Sequence, residues 1–315
     1  MGKPTSKRLL PILSASRLAH RAGARTSFSF PLAFPLACAA LALAGCAGLG
    51  TASSPTAVQL AKLLPADAVL IGEQHDAPDH QRIEREAVEA LAQRGQLAGL
   101  AIEMAEQGND TTYLNPAATE AEVRTALSWN DEAWPWATYG AVAMAAVRAG
   151  APVFGANLPR GKMKDAMADV SLDAQLAPPA LAAQQQAVRD GHCGLLPESQ
   201  IGPMTRVQVA RDRAMAQTVA QARVQGKTVL LVSGAGHSTK SLGVAQMLPT
   251  DLHVRAVRLV AGEAVAEAAS PGADVAGTPG SAAAAAMGPR AFDATWHTPP
   301  IPPRDYCAEF KRARG

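Results

Sequence analysis

Three apolar segments of this 315-residue sequence end in acid or histidine side chains, the residue types that transfer protons and bind metal ions. The segments are residues 68–72, 99–103 and 228–233. The side chains at their ends are Glu73, His75, Glu103 and His237. Two carboxylates and two imidazoles that meet in space can ligate a divalent metal or perform acid–base catalysis. The alternative for any one of them is a helix cap or a buried hydrogen bond.

Further polar residues follow the same or neighbouring segments. His80 lies one turn into the helix predicted after the first segment, where it faces either the same crevice or solvent. Asn157 and Arg160 follow the apolar residues 152–155. The planar guanidinium of Arg160 suits a carboxylate or phosphate, or else a salt bridge to one of the two acids. His192 either faces a ligand or is exposed.

Strands and helices alternate along the chain, which indicates a parallel sheet with right-handed crossovers. The predicted strands are residues 68–72, 99–103, 152–155, 228–233 and 253–260, and the predicted helices are residues 78–94, 117–127, 139–148 and 205–224. Ligands of such sheets bind in the crevice at the carboxyl ends of the strands. We therefore predict an α/β fold, a parallel-sheet core with flanking helices, that brings the candidate residues to one edge.

The predicted domain spans residues 60–262. One stretch within it and one after it interrupt the alternation of strands and helices. Residues 162–203 are helical in parts but are broken by prolines and glycines, so we predict a smaller helical lid subdomain there. Residues 263–290 are a low-complexity linker with too few large apolar side chains to order itself. Residues 291–315 form a tail that carries Trp296 and Tyr306, and we expect it to pack on the core.

The N-terminal segment has the pattern of a secretory signal. Basic residues precede an uncharged stretch at residues 26–45, whose apolar part is short and rich in alanine, so a secretory signal is favoured over a permanent membrane span. It ends in Leu43-Ala44-Gly45-Cys46, which resembles the lipobox of bacterial lipoproteins. On this resemblance residues 1–45 are a lipoprotein signal peptide, Cys46 is lipidated and residues 46–59 are a tether. The expected location is the cell envelope, anchored by lipid to the outer membrane and facing the periplasm. The alternative is an ordinary signal peptide.

Charge and cysteine content narrow the class of partner. The formal net charge is only +2, and the predicted signal contributes much of the positive charge, so the sequence does not indicate a nucleic-acid partner.

Without Cys38 and the lipidated Cys46, the remaining cysteines are Cys193 and Cys307. An oxidising compartment favours a disulfide between them, which would hold the C-terminal tail to the core. The alternative is a pair of free buried thiols.

Several motifs together resemble the ChaN-type haem-binding lipoproteins of the Tiki superfamily. They span residues 60–260 in a matching order, which makes the resemblance more specific than any single motif. The motifs are Gly72-Glu73-Gln74-His75-Asp76, Glu103-Met104, the Trp134-Pro135-Trp136 turn, Asn157 with Arg160, Arg211-Asp212-Arg213-Ala214-Met215-Ala216 and Gly236-His237. The departures from the family pattern are Ala77, Asp79 and Ala105.

The resemblance implies haem binding by a homodimer at the cell envelope, linked to iron uptake. It also implies a tyrosine ligand to the haem iron, since phenolate suits ferric haem. The candidates are Tyr113, Tyr139 and Tyr306, and Tyr113, in the loop after Glu103, is the first choice. Two other functions stay open. One is a metal-dependent hydrolase that uses the Glu and His cluster, and the other is an envelope scaffold in which these residues are structural.

Overall fold

Six parallel strands form a single sheet in the order β3-β2-β4-β1-β5-β6. The computed structural model describes residues 53–262 and 291–314. The predicted signal peptide, Cys46 and the low-complexity residues 263–290 lie outside these ranges. The strands are β1 Ala68–Glu73, β2 Leu97–Glu106, β3 Val153–Asn157, β4 Thr228–Gly234, β5 Val254–Ala261 and β6 Ala294–Thr298. The α/β fold predicted from the sequence is therefore confirmed.

Helices cover both faces of this sheet. They are α1 Pro55–Ala61, α2 Pro78–Gln93, α3 Glu120–Ala126, α4 Trp136–Arg148, α5 Met163–Ala168, α6 Pro178–Gly191, α7 Glu198–Gln221, α8 Ala235–Ser238 and α9 Tyr306–Arg314. Short 3-10 helices lie at Arg160–Lys162, Val170–Gln175 and Val244–Gln246. No helix in these described ranges is both long and apolar enough to span a bilayer.

The central strands are apolar throughout because both of their faces are covered. Every residue of β1 and of β4 is buried, as expected for parallel strands between two layers of helices. Val69 and Ile71 of β1 pack with α2 and α4, whereas Ala68 and Leu70 pack with α7 on the opposite face. This alternation leaves the carboxyl ends of the strands as the one place where β1, β2 and β4 can present polar groups together.

The helical insertion packs on α7. Leu172 and Leu176 form a small apolar cluster with Val209 and Ala210 of that helix. The helix begins at Glu198, seven residues before its predicted start, even though it contains Pro203. It therefore includes the end of the segment that we predict as lid. Helix α1 likewise begins within the predicted tether, where the side chain of Ser54 caps it by accepting from the Ala57 backbone N–H at 3.2 Å.

The C-terminal tail extends the sheet. Strand β6 pairs in parallel with β5, and the buried ring of Trp296 joins the core that α2 and α4 cover. The sequence pattern does not predict β6, because the strand is only five residues long and follows the low-complexity segment. Cys307, near the start of α9, forms a disulfide with Cys193, which lies just after α6. The predicted disulfide is thus confirmed.

Candidate functional site

The three central strands carry the polar cluster to one edge of the sheet. Glu73 is the last residue of β1 and pairs with Gly234, the last residue of β4. His237 follows in α8. Glu103 lies in β2 where the register against β3 shifts, an irregularity that re-aims side chains and is frequent near functional sites. The fold therefore brings together the four residues that the sequence singles out.

Glu73 connects His75 to the interior. Its Oε1 atom accepts hydrogen bonds from His75 Nδ1 at 2.8 Å and from the Tyr139 hydroxyl at 2.8 Å. The Gln81 side-chain amide donates to Oε2. Glu73 is buried, whereas the His75 side chain is 40% exposed and its ring meets Trp134 edge-on at 4.9 Å. His75 is thus the exposed end of a buried hydrogen-bond network.

His237 lies between two buried carboxylates. Its Nδ1 is 2.7 Å from Asp212 Oδ1, and its Nε2 is 3.6 Å from Glu103 Oε1. The other oxygen of Glu103 accepts from the Gly234 backbone N–H at 2.8 Å and lies 4.0 Å from His75 Nε2. Glu103 therefore links the two histidines into one cluster.

The charges in this cluster shift its protonation. Burial alone would lower the pKa of His237, but Glu103 and Asp212 outweigh it and raise that pKa to about 9. Burial likewise opposes protonation of His75, yet the hydrogen bond to Glu73 and the Glu103 charge raise its pKa. Burial would raise the pKa of Glu103, but the two histidines lower it. At neutral pH His237 is therefore cationic and Glu103 anionic, and a cationic His75 is favoured.

Beneath Glu73 lies a second buried layer that holds neutral groups. Burial and the adjacent Glu73 carboxylate raise the pKa of Glu84 well above its ordinary value, so Glu84 keeps its proton at neutral pH. His80 is fully buried, and its Nδ1 accepts from the Gln74 backbone N–H at 2.9 Å. Burial lowers the pKa of His80, which keeps it neutral. His80 faces neither the crevice nor solvent, contrary to both predictions, and instead fixes the loop that carries His75.

Polar groups without partners flank Glu103 on its other side. The Asn157 amide donates to the Glu103 backbone oxygen at 2.9 Å, while the buried Asn157 Oδ1 has no hydrogen-bond partner among the described residues. Arg211 Nε is also buried without one, although Arg211 interacts electrostatically with Glu103 and His237. The Arg160 backbone N–H donates to Glu106 at 3.1 Å, and its side chain is exposed and pairs with neither Glu73 nor Glu103. Two guanidinium groups, Arg160 and Arg211, thus make no ion pair within the described part of the chain.

Neither Tyr113 nor His192 bonds to a residue of the cluster. After β2 the chain turns back along β3, so that Thr111 hydrogen-bonds to Val153 at the amino end of that strand. Tyr113 follows there, 72% exposed, at the opposite edge of the sheet from the cluster. Tyr113 is therefore not part of the cluster, and its role as a haem ligand stays a prediction. His192 lies at the end of α6, where its Nδ1 is 2.8 Å from the Val188 carbonyl oxygen.

The C-terminal tail reaches the loop that holds His75. The Tyr306 hydroxyl donates to Asp76, the residue after His75. The Arg304 guanidinium lies 3.9 Å from the same carboxylate and 5.2 Å from the centre of the Tyr306 ring. Burial, and then the bond to Asp76, raise the pKa of Tyr306. Sequence reasoning assigns Tyr306 to the tail but cannot place it, because residues 263–290 separate it from the last predicted strand.

Sequence reasoning misses other cluster residues for a different reason. Arg211 and Asp212 have the pattern of a solvated helix face, because charged residues surround them in the sequence. Asp212 is nevertheless buried at 1% exposure, facing α8. The sequence pattern assigns Tyr139 to packing, although its hydroxyl bonds to Glu73. The Gly236-His237 motif is the one signal that would suggest a buried acid as the partner of His237.

The four acids and histidines bond to one another and to neighbouring residues. No group of three or more His, Cys, Asp or Glu side chains within residues 53–262 and 291–314 has the arrangement of metal ligands. Instead the candidate ligands bond to one another, with His75 on Glu73 and His237 on Asp212. This geometry suits proton sharing, and the prediction of Glu73, His75, Glu103 and His237 as metal ligands stays a prediction.

Comparison with known proteins agrees with this fold. The family model described as "Haem-binding uptake, Tiki superfamily, ChaN" matches residues 59–248, which confirms the resemblance of the motifs. The solved structure titled "Cofacial heme binding to ChaN of Campylobacter jejuni" is similar, with a TM-score of 0.56 and 21% identity over 66% of this chain and 86% of that one. A more distant structure is the MARTX toxin effector domain RRSP from Vibrio vulnificus, with a TM-score of 0.39 and 13% identity over 66% of this chain and 36% of that one. No curated protein matches.

Proposed function

The chain belongs to the ChaN family of haem-binding uptake proteins in the Tiki superfamily, and we propose that it binds haem at the carboxyl edge of its sheet. The observation that carries this proposal is a tyrosine hydroxyl at the mouth of the crevice, next to an exposed histidine. Tyr306 bonds to Asp76, and His75 is the preceding residue. An iron-ligating group and a cationic group thus lie on the same face.

Tyr306 is the best of the three tyrosines as a ligand to ferric iron. Tyr139 is buried, and burial together with Glu73 raises its pKa, so it does not form a phenolate readily. Tyr113 lies at the other end of the sheet. Tyr306 is only partly buried, so a ligand can reach its hydroxyl, although burial and the bond to Asp76 raise its pKa as well. The Arg304 cation over its ring favours the negative charge of the phenolate.

The acidic side chains of haem find partners on the β2 and β3 side. Arg160 and Arg211 carry guanidinium groups without an ion pair among the described residues, and a guanidinium binds a carboxylate in a planar, bidentate manner. Against the effect of burial, Glu73 and Glu103 raise the pKa of His75, which favours positive charge at the exposed surface. These residues fit a ligand that carries two carboxylates.

Haem binding here would require a second surface. An open face that binds a flat ligand leaves the other side of that ligand in water. We therefore propose that two copies of the chain enclose the haem between them as a homodimer. We also propose that the protein is anchored to the outer membrane through lipid on Cys46, faces the periplasm and takes part in iron uptake.

The test is a haemin titration of the full chain, followed by Soret absorbance and by sedimentation. We expect saturable binding with the charge-transfer band of a ferric tyrosinate, together with a shift from monomer to dimer. Tyr306→Phe should remove that band and weaken binding roughly tenfold or more, whereas the matched variant Tyr113→Phe should behave as wild type. A spectrum that Tyr306→Phe leaves unchanged would exclude this ligand. Folded protein that does not bind haemin would exclude haem binding altogether.

A hydrolase is the second candidate, favoured by the buried Asp212, His237 and Glu103 cluster. A histidine held between two carboxylates with a strongly raised pKa is typical of acid–base sites. Glu103→Gln should abolish hydrolysis of a panel of ester and amide substrates, with and without added divalent metal. Activity that persists in Glu103→Gln would assign the reaction to other residues, and a requirement for metal would restore the metal-dependent mechanism.

A further inference from the structure

The C-terminal tail crosses the functional edge of the sheet. Because β6 is parallel to β5, it ends at the same edge as Glu73 and Glu103. The chain then passes from the outermost strand toward β1, roughly 10 Å at ordinary strand spacing. Four prolines within residues 299–303 keep this stretch out of helix and sheet. We call residues 299–310 the strap.

The strap is held over the site by few contacts. Its non-covalent anchors include the Tyr306 hydroxyl and the Arg304 guanidinium on Asp76, and the ring of Phe310 at 6.2 Å from that of His192. No residue of the strap is fully buried. Helix α9 has only nine residues, and a helix of that length is marginal without tertiary support.

One covalent tie supplements these contacts. The Cys193–Cys307 disulfide joins the residue after Tyr306 to the turn that follows α6. Cys193 has φ +57°, in the left-handed region that residues other than glycine seldom adopt. The turn after α6 is also held by backbone hydrogen bonds from Cys193 to Asp190 and from Gly194 to Arg189. The disulfide therefore ties the strap to a segment that is fixed independently. It is the strongest link between Tyr306 and the body of the protein on the C-terminal side of the strap.

We propose that the Cys193–Cys307 disulfide is a redox-controlled clasp that keeps Tyr306 at the haem-binding face. Its reduction frees the strap, withdraws Tyr306 from Asp76 and weakens haem binding. The haem part of this proposal rests on the proposed function, whereas the release of the strap does not. A Tyr306 side chain that is already held in place loses less conformational entropy when it binds iron than one that must first be ordered. The oxidised protein therefore binds haem more tightly.

The redox step is a thiol–disulfide exchange with a dithiol reductant. A thiolate of the dithiol attacks one sulfur of the pair, and a mixed disulfide forms as the second cysteine leaves as a thiolate. The other thiol of the reductant then displaces the first cysteine. Two electrons and two protons thus pass to Cys193 and Cys307, while the dithiol becomes a disulfide.

The experiment compares three forms of the full chain. They are the oxidised wild type, the wild type reduced with dithiothreitol, alkylated and freed of reagent, and the double variant Cys193→Ser/Cys307→Ser. Amide hydrogen exchange of residues 294–310 and 74–77 reports release of the strap, without any need for haem. Haemin titration and dissociation kinetics report its effect on binding. The double variant, treated with reductant or untreated, controls for the other two cysteines.

We expect faster exchange in residues 299–310 and 74–77 on reduction, together with an increase in the haemin Kd of about tenfold or more, mainly from faster dissociation. The double variant should match the reduced protein with or without reductant. Unchanged exchange after complete reduction would overturn the clasp. Faster exchange with an unchanged haemin Kd would overturn its link to haem. Faster exchange in protein that binds no haemin in any form would support the clasp and reject the proposed function.

Discussion

His237 lies between two carboxylates, and this position decides when its proton leaves. Both Asp212 and Glu103 are nearly inaccessible to water, so their charges act on the imidazole with little screening. The raised pKa means that the folded protein holds this proton more tightly than the unfolded chain does. Stability from this source is complete below the unfolded pKa of about 6.5 and is lost as the pH rises through the folded value of about 9.

The first prediction concerns this pH dependence. The free energy of unfolding of the wild type should exceed that of His237→Asn by an amount that shrinks between pH 6 and pH 10. The total change is at most about 3 kcal/mol, because each tenfold increase in the proton affinity of the folded state corresponds to roughly 1.4 kcal/mol. Urea unfolding at a series of pH values measures it. A difference that stays constant over this range would mean that His237 is not protonated preferentially in the folded state.

A second prediction at the scale of residues concerns Gly234. A Cβ atom there would lie 2.9 Å from His75 Nε2, whereas a Cβ at Gly236 would meet no atom within 4 Å. Because the His75 side chain is half-exposed, it can turn away at a cost of less than about 1 kcal/mol in unfolding free energy. We therefore expect Gly234→Ala to fold, to weaken the bond between His75 and Glu73 and to lower the pKa of His75.

Titration of the histidine ring protons by NMR measures this effect, with Gly236→Ala as the matched control. The control should leave both the stability and the His75 titration unchanged. If Gly234→Ala also leaves the His75 titration unchanged, then the contact between Gly234 and the ring does not position His75.

The secondary-structure elements show how far the sequence pattern extends. The five buried strands are predictable because continuous apolar runs ending in glycine or polar residues are characteristic of a covered parallel sheet. Their carboxyl ends then place Glu73, Glu103 and His237 together. Tyr113 lies away from the cluster because a residue that follows a strand need not stay at its carboxyl end, and here the chain turns back along β3. Asp212 and Tyr306 depend on packing between segments far apart in sequence, which periodicity does not reveal.

Strand β6 leads to a prediction about the sheet edge. Trp296 is the one large side chain that β6 adds to the core, whereas the adjacent Thr295 is exposed. Trp296→Ala should lower the free energy of unfolding by about 3–5 kcal/mol, because it leaves a cavity beside β5. Thr295→Ala should lower it by less than about 1 kcal/mol.

Chemical denaturation of the two variants measures the difference. Equal effects of Trp296→Ala and Thr295→Ala would mean that β6 covers the edge without contributing to the core. That result would also mean that β6, which precedes the strap, does not hold the strap firmly to the core.

At the scale of the whole molecule, the site, the strap and the proposed lipid anchor together determine where the protein would bind haem. The described residues form one domain, and the proposed anchor would confine the protein to a membrane surface. An anchored protein meets a second copy more often than a freely diffusing one, which favours a homodimer that closes over a ligand.

The anchor itself is testable in bacterial cells. Metabolic labelling with palmitate should tag the wild type, and Cys46→Ser should remove the label and shift the protein from the membrane fraction to the soluble fraction. Cys38→Ser is the matched control, since it alters the other cysteine of the predicted signal, and it should retain the label. Label that persists in Cys46→Ser would place the modification elsewhere. An unlabelled but secreted wild type would indicate an ordinary signal peptide.

The disulfide has one more consequence, which concerns damage to the chain. Cys193 and Cys307 are 114 residues apart, and β4, β5 and β6 all lie between them. A protease that cuts the backbone once between Cys193 and Cys307 leaves two fragments that the disulfide still joins. If the cut lies in a loop between β4 and β6, the strands of both fragments also stay paired in one sheet. Nicked protein would therefore run as an intact chain on a non-reducing gel and as two fragments after reduction. The protein could lose the continuity of its backbone without losing its C-terminal third.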